Sequence, residues 1–219
     1  MTEFFGISSI HGDDLKITPS YWEEAKAHLR KSDSIIAELI DQYEEPPLHS
    51  KGELFETLVR SIVGQQISAI AADAIWNRLT NRMEVINVEG IQSLSDEEMR
   101  TAGLSYRKIE YIRGIVDAWP HLSSVSWGQL SDDEVRTELI RLRGIGPWTI
   151  NMILIFNLLR PNILPLGDIG VVRMMEKLYA GKKTLNKQEL VEIGEKWQPY
   201  RTVATWYLWR DLDPEPVEY

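Results

Sequence analysis

The sequence contains no cysteine among its 219 residues. Without thiolates the chain cannot form a disulfide framework, a cysteine-ligated zinc site or an iron–sulfur cluster. Its histidines are few and scattered, without the spacing of metal ligands: His11, His28, His49 and His121. We therefore expect no catalytic metal and no required cofactor.

Long apolar runs are also missing. No stretch approaches the roughly 20 residues that a membrane-spanning helix needs, and the first 12 residues lack the basic-then-apolar order of a secretory signal. A hydrophobic fraction of 43% still supports a folded globular protein. We expect a monomer in the cytosol, which in a bacterium includes the nucleoid, with no membrane partner.

Positive charge is scarce, with 24 lysines and arginines against 33 aspartates and glutamates and a net charge of −9. Because phosphate binding favours basic proteins, composition alone argues against a nucleic-acid partner. The acidic residues gather in the first 45 positions and at the C-terminal end, whereas segment 106–113 carries three cations against one carboxylate. The sequence is therefore compatible with a locally basic face on an acidic protein.

Apolar residues recur at helical spacing along nearly the whole chain. Capping boxes at Ser95 with Glu98 and at Ser131 with Glu134 predict the starts of two helices. Strand-like alternation is weak and restricted to Phe4–Ile10 and Met83–Val88. We predict an all-α fold of two helical lobes around a central cleft, with helices near residues 19–43, 54–67, 69–79, 109–120, 131–141, 147–159, 169–179, 186–197 and 201–209 and a short helix that begins at Ser95.

The most informative run is Leu-Arg-Gly-Ile-Gly-Pro-Trp-Thr at residues 142–149. Two glycines permit a tight reversal at positive φ, and Pro147 suits the first position of the next helix. This pattern predicts a helix–hairpin–helix over about residues 131–160, whose backbone N–H groups can bind a phosphate. A plain αα-corner is the alternative. The flanking Leu142 and Ile145 favour the hairpin, because they can pack it onto both helices.

With Pro-Leu-Gly-Asp at residues 165–168 beyond that motif, the chain resembles the helix–hairpin–helix DNA glycosylases of the alkylpurine type, 3-methyladenine DNA glycosylase II. The resemblance covers about residues 50–211 and rests on three runs: 54–68, ending Ile-Val-Gly-Gln-Gln-Ile-Ser; 142–149 followed by Gly167-Asp168; and Trp-Gln-Pro-Tyr-Arg at 197–201 through Trp-Tyr-Leu-Trp-Arg at 206–210. It implies a single unit over residues 1–219. That unit would bind double-stranded DNA, flip a damaged purine such as 3-methyladenine or 7-methylguanine, and hydrolyse its N-glycosidic bond.

Three departures from the wider family refine this expectation. Longer relatives carry an N-terminal β domain, but here only about 50 residues precede the first motif, so we expect that domain to be lacking or reduced to a remnant. The iron–sulfur cluster of many relatives cannot form without cysteine. Bifunctional relatives place a lysine nucleophile two residues after the last hairpin glycine, where this chain has Trp148. The resemblance therefore implies a monofunctional enzyme.

The resemblance assigns the catalytic carboxylate to Asp168. Its position before a predicted helix also fits an ordinary N-cap, and both roles are compatible. A fixed carboxylate beside the sugar stabilises the positive charge that develops when the glycosidic bond breaks. Trp148 and Trp209 would line the base pocket, where aromatic faces attract a cationic methylated base. Met152, one turn beyond Trp148, would add a soft apolar wall.

Tyr106, in a predicted turn, is the expected wedge that fills the gap left by the flipped nucleotide, with Leu104 as the second candidate. Arg107 and Lys108 would hold phosphates beside it, although a solvated charge pair is the alternative. The hairpin would contact the DNA backbone through Gly144, Gly146, Trp148 and Thr149.

Gln65 and Gln66 are predicted to lie on a helix, one bonding backbone groups and the other facing the DNA. The resemblance further implies a monovalent cation, Na⁺ or K⁺, held by the hairpin carbonyls of Ile140, Leu142 and Ile145.

Two other functions stay open at this point. A non-catalytic helix–hairpin–helix module would bind DNA without needing an aspartate at position 168 or an aromatic pocket. A glycosylase for deaminated or mismatched bases would share the same fold. The sequence does not distinguish among 3-methyladenine, 7-methylguanine, hypoxanthine and ethenoadenine as the preferred lesion.

Overall fold

The structure, a computed structural model, describes residues 17–43, 46–50, 53–83, 85–181 and 183–213. Within this part of the chain every regular element is helical, as predicted, and no helix is both long and apolar enough to cross a membrane. A short 3₁₀ turn at Trp127–Gln129 accompanies the α-helices. These are α1 (Trp22–Ser32), α2 (Ser34–Gln42), α3 (Leu54–Gly64), α4 (Ala69–Thr80), α5 (Val88–Ser93), α6 (Asp96–Ala102), α7 (Tyr106–Leu122), α8 (Asp132–Leu139), α9 (Pro147–Phe156), α10 (Ile169–Tyr179), α11 (Lys187–Glu195) and α12 (Arg201–Leu212).

The helices fall into two lobes, as the sequence predicted. Helices α3 to α7 pack on one another in the first lobe, while α1, α2, α10 and α12 form the second. Helix α9 packs on both α8 and α3 and so links the hairpin to the first lobe. The sequence did not indicate that the N-terminal helices α1 and α2 join the C-terminal helix α12, because such pairing over a long separation leaves no local pattern.

Helix α12 is the centre of the second lobe. Every residue from Thr202 to Arg210 is buried, so the helix has no solvent-facing stripe. Its buried Thr202 is used internally, since the hydroxyl accepts the backbone N–H of Ile163 at 3.0 Å. Trp206 and Trp197 are buried in the same region and are core residues.

Both predicted capping boxes are confirmed. The Ser95 and Ser131 hydroxyls accept the backbone N–H groups of Glu98 and Glu134, and both glutamates accept hydrogen bonds in return. Hydrogen bonding from Ser95 and Ser131 lowers the pKa of the two glutamate carboxyls.

Other boundaries differ from the prediction. The single helix expected over 19–43 is two helices, because Asp33 adopts an extended conformation and its side chain caps α2. Helix α3 ends at Gly64, so the prediction that Gln65 and Gln66 are helical was wrong. Gln66 has a left-handed φ of 61°, and Ser68 caps the next helix.

Neither segment with weak strand character forms a described strand. Residues 85–88 lie in a bend and the start of α5, and the other segment, Phe4–Ile10, lies outside the described residues. Over residues 17–50 the described chain is helical or irregular, which gives no sign of a β-domain remnant there.

Asp33 ties the N-terminal helices to the C-terminal half of the chain. One carboxylate oxygen accepts the backbone N–H groups of Ile35 and Ile36, and the other accepts the Tyr179 hydroxyl at 2.8 Å and Trp197 Nε1 at 3.0 Å. Burial, together with the negative charge of Asp33, raises the pKa of Tyr179. The side chain is thus both a helix cap and a buried acceptor for two aromatic donors.

We predict that Asp33→Ala lowers the free energy of unfolding by about 2–4 kcal/mol, since it removes a cap and leaves two buried donors without an acceptor. Asp33→Asn keeps an acceptor oxygen and should lose less. Urea denaturation followed by tryptophan fluorescence measures both. Equal midpoints for wild type and Asp33→Ala would show that this junction does not stabilise the fold.

Candidate active site

A cleft of about 1050 Å³ is bordered by the end of α3 and the turn after it, by α9, by the start of α10 and by the end of α12. The four residues that the sequence assigned to catalysis and the base pocket all line it: Trp148, Met152, Asp168 and Trp209. Elements separated by more than 100 residues in sequence therefore meet at one cavity.

Asp168 is buried, with 8% of its surface exposed, and it caps α10. Its Oδ1 accepts the backbone N–H of Val171 at 2.9 Å and Trp209 Nε1 at 3.3 Å. Its Oδ2 accepts Trp148 Nε1 at 2.7 Å. Both oxygens thus face N–H donors, an arrangement that suits a negative acceptor and fixes the direction of the carboxylate.

The two tryptophans that line the cleft differ in their burial. Trp209 is almost fully buried and stacks on Phe156, with ring centroids 5.8 Å apart and an interplanar angle of 16°. Trp148 is only half-buried, and Met152 is buried beside it along the cleft. The sequence did not single out Phe156, because it belongs to a helix that is apolar on every face.

Gly170 is a second residue of the site that the sequence did not reveal. A Cβ at this position would lie 3.1 Å from Oδ1 of Asp168 and 2.7 Å from Cδ2 of Leu212. The missing side chain lets the first turn of α10 approach α12 closely. No motif marked this glycine, since its role depends on the packing of two distant helices.

The two hairpin glycines have different roles. Gly144 has a φ of +91°, and a Cβ there would lie 2.3 Å from Cδ2 of Tyr111, so both conformation and packing require glycine. Gly146 has a φ of −107°, and a Cβ there would meet no atom within 4 Å. Of the two glycines that permit positive φ, only Gly144 therefore adopts it, while the outward side of Gly146 is open.

Helix α9 follows the hairpin directly, and its N-terminus has no side-chain cap from the described residues. Pro147 occupies the first turn, and no described side chain caps the helix at Gly146. Backbone N–H groups at such an end are available to an external anion. Thr149 is 4% exposed and lines the cleft, so its side chain is not on the outer surface.

The cations of segment 106–113 are already engaged within the protein. Lys108 is half-buried and its Nζ donates to the carbonyl of Val63 at 2.8 Å. Burial lowers the pKa of Lys108. Arg107 donates through Nε to the hydroxyl of Tyr111.

Two neighbouring arginines are paired with carboxylates. Arg113 contacts Asp96 at 3.0 Å, and Arg143 forms an ion pair with Glu110. The basic face is consequently weaker than a count of its arginines and lysines implies.

The wedge candidates occupy different surroundings. Tyr106 begins α7 and is 67% exposed, with the Arg100 guanidinium 4.4 Å from the centre of its ring, but it does not line the cleft. Leu104 is fully buried, so the second candidate was wrong. Gln66 lines the cleft and is exposed, while Gln65 donates through Nε2 to the carbonyl of Gly144 at 2.7 Å.

Comparison with known proteins gives a consistent assignment. The sequence profile of the HhH-GPD superfamily of base excision DNA repair proteins matches residues 59–199. DNA-3-methyladenine glycosylase 1 of Schizosaccharomyces pombe is 32% identical over 183 residues, which is 80% of this chain and 79% of that protein.

Solved structures share the fold closely. A DNA-3-methyladenine glycosidase from Bacillus halodurans superposes with a TM-score of 0.77 at 34% identity, covering 87% of this chain and 89% of that one. The 3-methyladenine DNA glycosylase of Schizosaccharomyces pombe, in complex with abasic DNA, superposes with a TM-score of 0.76 at 29% identity, covering 90% and 100%. This chain belongs to the HhH-GPD superfamily of base excision DNA repair proteins.

Proposed function

We propose that this protein is a monofunctional DNA glycosylase that removes alkylated purines from double-stranded DNA. The observation that carries the proposal is the Asp168 carboxylate, held in an aromatic cleft by Trp148 and Trp209. Similarity to proteins named DNA-3-methyladenine glycosylases supports the same conclusion. It would act on a flipped nucleotide.

The chemistry follows from the charge that develops on the sugar. As the C1′–N bond breaks, its electrons leave with the base and C1′ becomes cationic. The fixed carboxylate of Asp168 stabilises this cation electrostatically, and water then adds to C1′ and gives up a proton. An alkylated purine that is cationic at the start leaves as a neutral base, so the reaction needs no strong general acid.

The cleft selects the base through aromatic and soft apolar contacts. The half-buried Trp148 offers an electron-rich ring that attracts a cationic base more strongly than a neutral base of the same size, and the almost fully buried Trp209 borders the cleft beside Phe156. Met152 adapts to the methyl group. Because the tryptophan N–H groups also hold Asp168, the same two side chains fix both the base and the carboxylate.

The DNA backbone would be held mainly by main-chain groups. The open side of Gly146 allows a phosphate to come close to the N–H groups of Trp148 and Thr149 at the start of α9. Gly144 shapes the hairpin, Arg107 adds a nearby charge, and Lys108 acts as a phosphate ligand only if it releases Val63. Recognition of this kind ignores base sequence.

We further propose that the hairpin carbonyls of Ile140, Leu142 and Ile145 hold a monovalent cation. The carbonyl oxygen of Leu142 accepts the N–H of Ile145 at 3.0 Å and has a second lone pair. The carbonyls of Ile140 and Ile145 accept none of the backbone hydrogen bonds that the described residues form in turns, loops and helix caps. A bound Na⁺ or K⁺ would add positive charge near a phosphate. No group of three or more histidine and acidic side chains in the described chain forms a metal site.

The monofunctional assignment rests on the absence of an amine at the reaction centre. Trp148 stands where bifunctional relatives have lysine, and no lysine is among the described residues that line the cleft. The described residues of the cleft therefore provide no amine that could form a Schiff base with the sugar. We further propose that the enzyme acts as a monomer in the cytoplasm on damaged purines in duplex DNA.

The first test is Asp168→Asn, which keeps size and capping but removes the charge. Single-turnover release of 7-methylguanine should fall about 100- to 1000-fold, because the developing cation loses its counter-charge. Binding to an abasic-site analogue should persist. Asp33→Asn is the matched control, since Asp33 is another buried cap that accepts an indole N–H, yet it does not line the cleft. Normal turnover by Asp168→Asn would refute the mechanism.

The second test separates two wedge candidates, Tyr106 and Gln66. A wedge offsets the cost of extrusion by filling the vacated stack, so its loss should slow excision of a well-paired lesion more than of a mismatched one. Tyr106→Ala should show this pattern if Tyr106 is the wedge, and Gln66→Ala should show it if the residue at the cleft mouth acts instead. Equal slowing on both duplexes rules out the residue concerned.

A further inference from the structure

Gln65 joins two elements that the proposed function places on DNA. It stands directly after α3, in the turn that borders the cleft, and its side-chain amide donates to the carbonyl of Gly144 in the hairpin at 2.7 Å. The two residues are separated by 79 positions in the sequence. Within the described residues, this hydrogen bond links the turn directly to the hairpin.

The hairpin end of this bond is held firmly. Gly144 is in the left-handed region, and its α-carbon faces the Tyr111 ring so closely that a Cβ would overlap it. Tyr111 is itself buried on α7. The Gly144 carbonyl is therefore an acceptor on a backbone with little freedom to move.

The turn that carries Gln65 is constrained by contacts on either side of this residue. The carbonyl of Val63, in the last turn of α3, accepts Nζ of Lys108 at 2.8 Å. Gln66 follows Gln65 with a left-handed φ of 61°, a conformation that a residue other than glycine keeps only when its surroundings hold it. A change in the position of Gln65 would be transmitted directly to Gln66 and Ile67, which also line the cleft.

We propose that Gln65 is a positioning residue. Its hydrogen bond to the hairpin fixes the conformation of the turn, residues 65–67, at the mouth of the cleft. When the hairpin is seated on a phosphate, the Gly144 carbonyl fixes Gln65, and Gln65 holds the turn in the shape that receives a flipped nucleotide. Its side-chain N–H acts on the protein backbone rather than on a base. This inference rests on the proposed function.

The test is Gln65→Met, which keeps side-chain length and removes the donor. Single-turnover excision of 7-methylguanine from a paired duplex should fall about fivefold to tenfold, as expected for one neutral hydrogen bond. Excision of the same lesion from a single strand should change less than about twofold, because no pair has to be opened there. Affinity for undamaged duplex should stay within about twofold, since Tyr111 still supports the hairpin.

Two further variants keep the test decisive. Gln188→Met, on the exposed surface of α11, is the control for replacing a glutamine by methionine. Gln65→Asn provides a polar but shorter side chain that cannot span the same distance, and it should show the same selective loss if Gln65→Met does not fold.

Each result bears on the proposal differently. Equal loss on paired and single-stranded substrate would indicate direct contact with the nucleotide and would overturn it. Unchanged rates, or a comparable loss of affinity for undamaged duplex, would also overturn it. If wild-type protein releases no base from any substrate, the proposed function fails instead.

Discussion

The site depends on one carboxylate shared by three N–H donors. Asp168 accepts from the first turn of α10, from Trp148 on α9 and from Trp209 on α12, so three helices meet at its two oxygens. Gly170, in the same turn, leaves room for Oδ1 of Asp168 and for the Leu212 side chain of α12. The helix cap that begins α10 and the charge that we propose opposes a sugar cation are therefore the same atoms, which would link the stability of the cleft to its chemistry.

Asp33 shows that this geometry alone does not make an active site. It too is a buried N-cap that accepts a tryptophan N–H, and it accepts a tyrosine hydroxyl as well. Its environment is closed by the core, whereas Asp168 borders a cleft large enough for a nucleotide base. The two carboxylates therefore differ in their access to a ligand, which is decided by the packing of the lobes and not by the local sequence.

Sequence patterns predicted the features whose cause is local. The capping boxes, the hairpin and the start of α10 after Asp168 all depend on residues within a few positions of one another. The break at Asp33 was missed because the apolar pattern continues across it, and the true end of α3 was missed for the same reason. Gly170 and Phe156 could not be identified, because their roles arise from contacts between helices that are distant in sequence.

The acidic composition is consistent with a backbone-based grip on DNA. Arg113 and Arg143 are paired with carboxylates, and Lys108 is bound to a helix carbonyl, so these three cations are already engaged within the protein. The hairpin and the open helix end at Gly146 require no side-chain charge.

The central claim is hydrolytic release of alkylated purines, and product analysis tests it most directly. Purified protein is incubated with duplexes that each carry one lesion: 3-methyladenine, 7-methylguanine, hypoxanthine, ethenoadenine, or adenine opposite 8-oxoguanine. Our account predicts free methylated purine by mass spectrometry and a DNA strand that stays intact until alkali is added. No released base, release confined to the hypoxanthine or mismatch duplexes, or a strand cut without alkali would contradict it.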